Sequence, residues 1–159
     1  MTTATAKAIR NRVLDLVEAI TPTSLSGDAF RRYRNEGGGD FHAFAQSAPQ
    51  IRRFQVRDTG DDAPPSVSDM LVEERILDLD VTVAYPQDSR AGSTNALGRD
   101  DIIAEDWKAI DNAIGWLGAG NFSGAYDCTP LGATKSVERA GKVDFLIVKA
   151  RFQFWRTTT

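Results

Sequence analysis

Asp78 and Asp80 stand in a stretch where apolar residues alternate with polar ones, Leu77-Asp78-Leu79-Asp80-Val81. A period of two puts both carboxylates on one face of a strand, roughly 7 Å apart. Carboxylates so spaced can hold Mg²⁺ or Mn²⁺ beside a phosphate, which is the chemistry of divalent-metal phosphoryl transfer. The sequence places no third acidic or histidine ligand near them, and the plainer reading is the polar side of a half-buried strand. Asp58, Asp61 and Asp62 form a second acidic group. They lack the ligand spacing of a calcium loop and read as an acidic turn. Asp100, Asp101, Glu105 and Asp106 crowd the start of an expected helix. Carboxylates there favour the positive end of the helix dipole, and general acid–base work is the other use such a cluster could have.

Nucleophilic chemistry has little to draw on. His42 and Cys128 are the only histidine and cysteine, so no intrachain disulfide forms, and the two could pair as base and nucleophile. No activating motif surrounds Cys128, and burial as an inert thiol is the common fate of such a residue. Gly132-Ala133-Thr134-Lys135-Ser136 resembles the end of a phosphate-binding loop, but Thr134 stands where a glycine is required and Thr129 holds the earlier glycine position. Gly118-Ala119-Gly120 follows an expected helix and reads as its cap. Arg31, Arg32 and Arg34 interleave with Phe30 and Tyr33. That pattern suits single-stranded nucleic acid, or a basic loop docking on an acidic partner surface. No constellation here makes an active site, so the expectation is a protein that is not an enzyme and takes no cofactor.

The composition bounds the remaining classes. At 159 residues, with 42% hydrophobic and 26% charged, the chain has the make-up of one globular domain spanning 1–159. The longest run of aliphatic and aromatic residues is Phe145-Leu146-Ile147-Val148, too short for a membrane span, and the first residues lack the pattern of a secretion signal. A formal charge of −3 argues against a dedicated duplex-binding protein. That net value hides a segregation. Residues 1–57 carry nine Lys/Arg against five Asp/Glu, residues 58–127 four against fifteen, and residues 128–159 six against two. Blocks so uneven suit complementary faces, including faces on copies of one chain.

These residues need elements to position them. Ile9, Val13, Leu16, Val17 and Ile20 recur at steps of three and four, which predicts a helix over 6–20 ended by Thr21-Pro22. Residues 23–50 read as a short helix or turn, a glycine loop at Gly37–Gly39, and a further turn ending at Pro49. Alternation predicts a strand over 51–57, with Ile51, Arg53, Gln55 and Arg57 on one side and Arg52, Phe54 and Val56 on the other. Residues 58–68 are polar and proline-rich and read as a loop. A strand over 71–85 puts Leu77, Leu79, Val81, Val83 and Tyr85 on one face, and Pro86 stops it before a loop over 87–98. Ile103, Trp107, Ile110, Ile114 and Leu117 form the buried stripe of a helix over 100–117. Residues 119–142 read as turns with a hairpin around Gly132. A closing strand over 143–156 sets Leu146, Val148, Ala150, Phe152 and Phe154 against Lys149, Arg151 and Gln153. Two main helices packed on a mostly antiparallel sheet give an α+β fold of one domain.

The order of elements resembles one family. An N-terminal amphipathic helix precedes a short basic strand (Arg52-Arg53-Phe54-Gln55-Val56), then a long strand ending in Tyr85-Pro86, then an acidic-starting helix carrying Trp107 and Ile110, then the closing strand. In this the chain is similar to the tail terminator, or tail completion, proteins of long-tailed bacteriophages. The likeness spans nearly the whole chain and rests on order and pattern, with no diagnostic motif.

The resemblance implies a virion structural protein forming a homohexameric ring that caps the tail tube, ends its polymerisation and meets the head connector. Its partners would be copies of itself, the tail tube protein and the connector or stopper protein, with DNA only in transit through the lumen and no membrane. It would be assembled in the host cytoplasm and reside in the virion tail at the head–tail junction. A head–tail connector or stopper protein is the neighbouring alternative, and a divalent-metal phosphoryl-transfer enzyme using Asp78 and Asp80 is the alternative from another class. On the ring reading the subunit or lumen surface takes the acids Asp58, Asp61, Asp62, Asp78 and Asp80 and the bases Arg53, Arg57, Lys149 and Arg151. An acidic lumen would let DNA pass without the counterion-release binding that a basic one creates.

Overall fold

The strict alternation around Asp78 and Asp80 builds the centre of the structure. In a computed structural model that describes residues 6–25, 27–35, 39–48, 50–62, 72–87, 99–115 and 129–157, it lies in a 15-residue strand, Val72–Pro86. The elements, in chain order, are α1 (Ala6–Glu18), β1 (Arg31–Arg32), α2 (Phe41–Ser47), β2 (Arg53–Asp62), β3 (Val72–Pro86), α3 (Arg99–Gly115), β4 (Thr129–Ala140) and β5 (Val143–Thr157). The strands form one sheet in the order β1-β2-β3-β5-β4. β3 pairs along its whole length with β5, from Val72 opposite Thr157 to Pro86 opposite Val143. All neighbours are antiparallel except β1, which runs parallel to β2 over two residues. The fold is α+β, with a mostly antiparallel sheet packed by helices.

Both main helices cover one face of that sheet. Ile9, Val13 and Val17 of α1 and Ile102, Ile103, Ile110 and Ile114 of α3 are buried against Leu77, Leu79, Val81, Val83, Leu146, Val148 and Phe152. Each such side chain contributes about 1.5–3 kcal/mol by leaving water, so this layer dominates the driving force. Among the described residues, the opposite face is covered only at one end. There α2, capped by the Asp40 carboxylate accepting from the His42 N–H at 3.0 Å, packs Phe41 and Ala45 on Ala84, Val143 and Phe145.

Several expectations are corrected. Residues 58–62 continue β2, because β3 offers a ladder partner as far as Ile76 opposite Asp62, and cross-strand pairing overrides their polar, turn-prone composition. The register slips between Asp58 and Gly60, which makes Thr59 a bulge residue. The hairpin expected around Gly132 turns instead at Gly141, whose φ is +64°, and Gly132, at φ +131°, relieves a second bulge within β4. β2 begins at Arg53, since Ile51 and Arg52 form a turn in which Arg52 adopts φ +60°. Within residues 23–50 the expected turns are a two-residue strand, β1, and a two-turn helix, α2. Gly37, Gly38, residues 63–71 and 88–98, Trp116, Leu117, Gly118 and Cys128 lie outside the described residues.

The β4–β5 turn is held by a side chain from across the sheet. Gln46 of α2 donates through Nε2 to the Ala140 carbonyl and accepts at Oε1 from the Lys142 N–H at 3.0 Å. A Cβ on Gly141 would lie 2.7 Å from that same Oε1, and the positive φ strains any L side chain there. Gly141→Ala is therefore expected to cost about 1–2 kcal/mol. Thermal unfolding should register a melting temperature roughly 2–8 °C lower, and an unchanged midpoint would show that the clasp does not constrain the turn.

Candidate functional site

Among the described residues the most completely bonded side chain is that of Arg52. Its positive-φ turn drives the guanidinium into the interior, where it is 0% exposed. Nε donates to Asp106 Oδ2 at 2.8 Å, and Nη2 donates to Asp106 Oδ1 at 3.1 Å and to the Ser24 carbonyl at 2.8 Å. Nη1 donates to the carbonyls of Leu25 and Asp28, both at 2.9 Å. All five guanidinium donors are thus used. The Phe30 ring lies 5.6 Å from the guanidinium carbon, and Tyr85 donates its hydroxyl to Asp106 Oδ2 at 2.6 Å. Arg52 also bonds through its backbone, donating to the Ala84 carbonyl at 2.9 Å and accepting from the Arg31 N–H at 3.1 Å.

A buried Arg–Asp–Tyr cluster resembles catalytic machinery, but its geometry is that of a joint. Every guanidinium proton is taken by the protein itself, and neither surface groove described below is lined by any of the three residues. Asp106 is therefore not part of the solvated acidic helix start expected of it. It is the buried counterion of Arg52. Burial, with the charge and hydrogen bond of Asp106, holds the Tyr85 phenol well above its ordinary value of 10.0, the nearby Arg52 charge acting in the opposite sense.

The expected surface residues divide between the two faces of the sheet. Asp78 and Asp80 share a face, as their spacing predicts, and it is the face that the main helices leave open. Across the strands Arg57, Asp80, Lys149 and Thr134 form one row, and Gly60, Asp78, Arg151 and Gly132 the next. Arg151 holds Asp78 through two bonds, Nε to Oδ1 at 2.8 Å and Nη2 to Oδ2 at 3.3 Å. The two bulges, at Thr59 and between Pro130 and Gly132, lie at nearly the same level on either side of this pair. Bulges bend and twist their strands. Between them opens a groove of about 690 Å³ lined by Thr59, Asp78, Asp80, Leu131, Gly132, Lys149 and Arg151 among others.

The remaining expected site residues lie elsewhere. Asp58 points to the helix side and accepts from Arg10 Nη1 of α1 at 3.2 Å. Arg53 is buried at the covered end, donating to Gln50 Oε1 at 2.8 Å with its guanidinium carbon 5.5 Å from the Phe44 ring centroid. Asp61 and Asp62 pair in the ladder with Leu77 and Ile76. Among the described residues no three His, Cys, Asp or Glu side chains come together in a way that could hold a metal ion. Both oxygens of Asp78 are committed to a guanidinium. A second groove, of about 610 Å³, runs along α3 beside Asp101, Glu105, Trp107, Asp111 and Lys135.

Part of the arginine–aromatic segment is used internally, while Arg31 and Arg34 are exposed. Arg32 donates to Asp15 Oδ1 at 2.7 Å and to Glu18 Oε2 at 3.0 Å, fastening β1 to α1. Burial alone would raise the Glu18 pKa, but hydrogen bonds from the Arg32 side chain and backbone, with the charges of Arg32 and Arg34, hold it below its ordinary value. Phe30 is buried, and the Tyr33 ring packs 4.9 Å from that of Phe44 and 5.4 Å from that of Phe41. These rings form part of the packing and offer no platform for bases. His42 likewise packs 4.6 Å from the Phe145 ring.

No protein-family model matches this chain, and no curated protein sequence matches it. Fold and site together define an α+β protein with its two main helices on one face of its sheet and a charged groove, beside the short α2, on the other. Among the described residues no helix is long and apolar enough to cross a membrane.

Two outcomes follow for the buried cluster. Asp106→Ala leaves a buried guanidinium without its counterion and is expected to cost about 3–5 kcal/mol, whereas replacing Arg52 and Asp106 together by apolar residues of similar volume should cost far less. Denaturant titration of the two variants measures this, and equal losses would refute the charge argument. The second outcome concerns alkali. Above pH 10 the unfolded chain loses the Tyr85 proton while the folded chain keeps it, so stability falls as pH rises. The stability advantage of wild type over Tyr85→Phe should therefore shrink above pH 10, and a constant difference would contradict it.

Proposed function

We propose that this chain is a virion structural subunit of the tail terminator type. On this reading copies of it close into a homohexameric ring that caps the tail tube, ends its polymerisation and presents a surface to the head connector. The observation that carries the reading is the asymmetry of the sheet. Both main helices sit on one face, α1 with Lys7, Arg10 and Arg12 on the β2 side and α3 with Asp100, Asp101 and Glu105 on the β4 side, which suits a head-to-tail contact that closes into a ring when the rotation permits. The element order on which the resemblance rests supports it too: a leading helix, a long central strand ending at Pro86, an acidic-starting helix and a closing strand. Two main helices on a sheet favour a terminator over a mainly β stopper protein.

The role asks for no catalysis and no cofactor, and it gives the protein a place at the head–tail junction after assembly in the host cytoplasm. DNA would meet it only in passage. Native mass measurement across a concentration range, alone and with the tail tube of the same virion, tests the proposal. Hexamers, seen as rings by negative-stain microscopy, are the expected result. A compact twofold dimer at every concentration would overturn it. So would stoichiometric Mg²⁺ or Mn²⁺ binding by calorimetry that is lost on replacing Asp78 and Asp80 in a chain that never forms rings.

A further inference from the structure

The sheet has two edges with unused backbone groups among the described residues. β4 pairs only with β5, and β2 beyond Phe54 pairs only with β3, since β1 covers no more than Arg53 and Phe54. An exposed edge of this kind is a template for another strand. β4 also carries Leu131 and Val137, large apolar side chains that are 48% and 45% exposed. We infer that the β4 edge of one copy of this chain adds onto the β2 edge of the next, continuing the sheet across the subunit boundary. This rests on the ring reading above and specifies its interface.

Direction, register and charge all fit this occupant. β2, β3, β5 and β4 alternate in direction, so β4 meets the β2 of an equally oriented neighbour antiparallel, as everywhere else in the sheet beyond β1. Regular pairing on β2 is confined to residues 55–58, between the end of β1 and the bulge at Thr59. The helix-side residues there are Val56 and Asp58, and those of β4 are Ala133, Lys135, Val137 and Arg139. Setting Lys135 opposite Asp58, which Arg10 already meets from α1, sets Val137 opposite Val56, which adds a second cation to that carboxylate and covers the half-buried valine. Sliding by two residues either way puts a charge against Val56. On the open face the same register brings Glu138 diagonal to Arg57, within reach of long side chains. The helices agree with this arrangement. α3, with Asp100, Asp101 and Glu105, packs on the β4 side, and α1, with Lys7, Arg10 and Arg12, packs on β2, so the seam brings opposite charges together.

Charge exchange tests the seam. Lys135→Glu changes the β4 edge and Asp58→Lys the β2 edge, where it also removes the Arg10–Asp58 pair within the chain, so each variant alone should need about tenfold more protein to assemble, by sedimentation velocity or native mass. Mixed in equal amounts, the two variants can alternate around a ring. At every second seam the introduced glutamate then meets the introduced lysine, and the seams between keep the native Lys135–Asp58 pair. Assembly should recover to near the wild-type concentration, which unfolded chains could not achieve. As a second measure, Val56→Cys with Val137→Cys, in a Cys128→Ser background, should give covalently linked rings or ladders on oxidation.

Single variants that assemble like wild type, a mixture that fails to recover, or cysteines that do not link between chains would overturn the seam and leave the ring reading standing. A wild-type chain that never assembles, alone or with the tail tube, would overturn both.

Discussion

The structure turns on one buried charge. A guanidinium taken out of water costs several kcal/mol unless its donors are met, and Arg52 meets that cost with five hydrogen bonds and a carboxylate. The partners come from four separate parts of the chain. Asp106 lies on α3, the Ser24, Leu25 and Asp28 carbonyls lie in the segment after α1, the Ala84 carbonyl closes β3, and the Arg31 amide opens β1. Tyr85 adds the end of the central strand by donating to the same carboxylate. A Leu or Met at position 52 could fill the space, but it could not specify where the 24–28 segment runs or hold the rotation of α3. The buried pair acts as a locating pin that sets helices and sheet in one relation, and the hydrophobic layer supplies most of the driving force.

With that relation set, the two faces of the sheet have different fates. The helix side is filled by α1 and α3, while the other side is covered by α2 only near Ala84 and Phe145. The region that no described helix covers is where Asp78, Asp80, Lys149 and Arg151 stand, and two bulges at one level give it its concavity. The Asp78–Arg151 pair is itself weak, with side chains 31% and 61% exposed, and such pairs contribute at most about 1 kcal/mol. It cancels charge locally on that face.

What was legible in the residues was whatever repeats locally. The alternation from Leu77 to Tyr85 and from Leu146 to Phe154, and the stripe Ile103, Ile110, Ile114, appear where the pattern puts them. β4 was not legible, because Pro130, Gly132 and Ser136 disfavour a strand and its apolar residues keep no unbroken alternation; the segment forms one because β5 lies alongside with a free ladder. The extension of β2 through Asp62 has the same cause. The buried cluster did leave a trace. Arg52 shares the parity of Phe54 and Val56, and Asp106 falls between Ile103 and Ile110 at steps of three and four, on the apolar stripe. A cation on one apolar face and an anion on another are a pair in waiting, but local pattern cannot say which charge meets which.

That pairing changes the meaning of the uneven charge blocks. Arg52 and Arg10, from the basic first block, bind Asp106 and Asp58 of the acidic middle; Arg139 and Arg151, from the basic end, bind Asp100 and Asp78 of the same middle. The segregation along the chain is therefore first an instruction for folding, drawing both ends onto the centre within one molecule. Four acids of the middle are taken up in this way, and its excess is larger than that. The excess is carried in part by the start of α3, on the β4 side of the sheet, while the cations of α1 lie over β2 on the other side. A molecule whose helices carry charge of opposite sign on opposite flanks is complementary, in that layer, to its own copy after a translation and turn. It is not complementary after a twofold rotation that brings a flank onto itself. The same charges that close the monomer thus bias any self-association toward a head-to-tail chain, and geometry alone decides whether that chain closes.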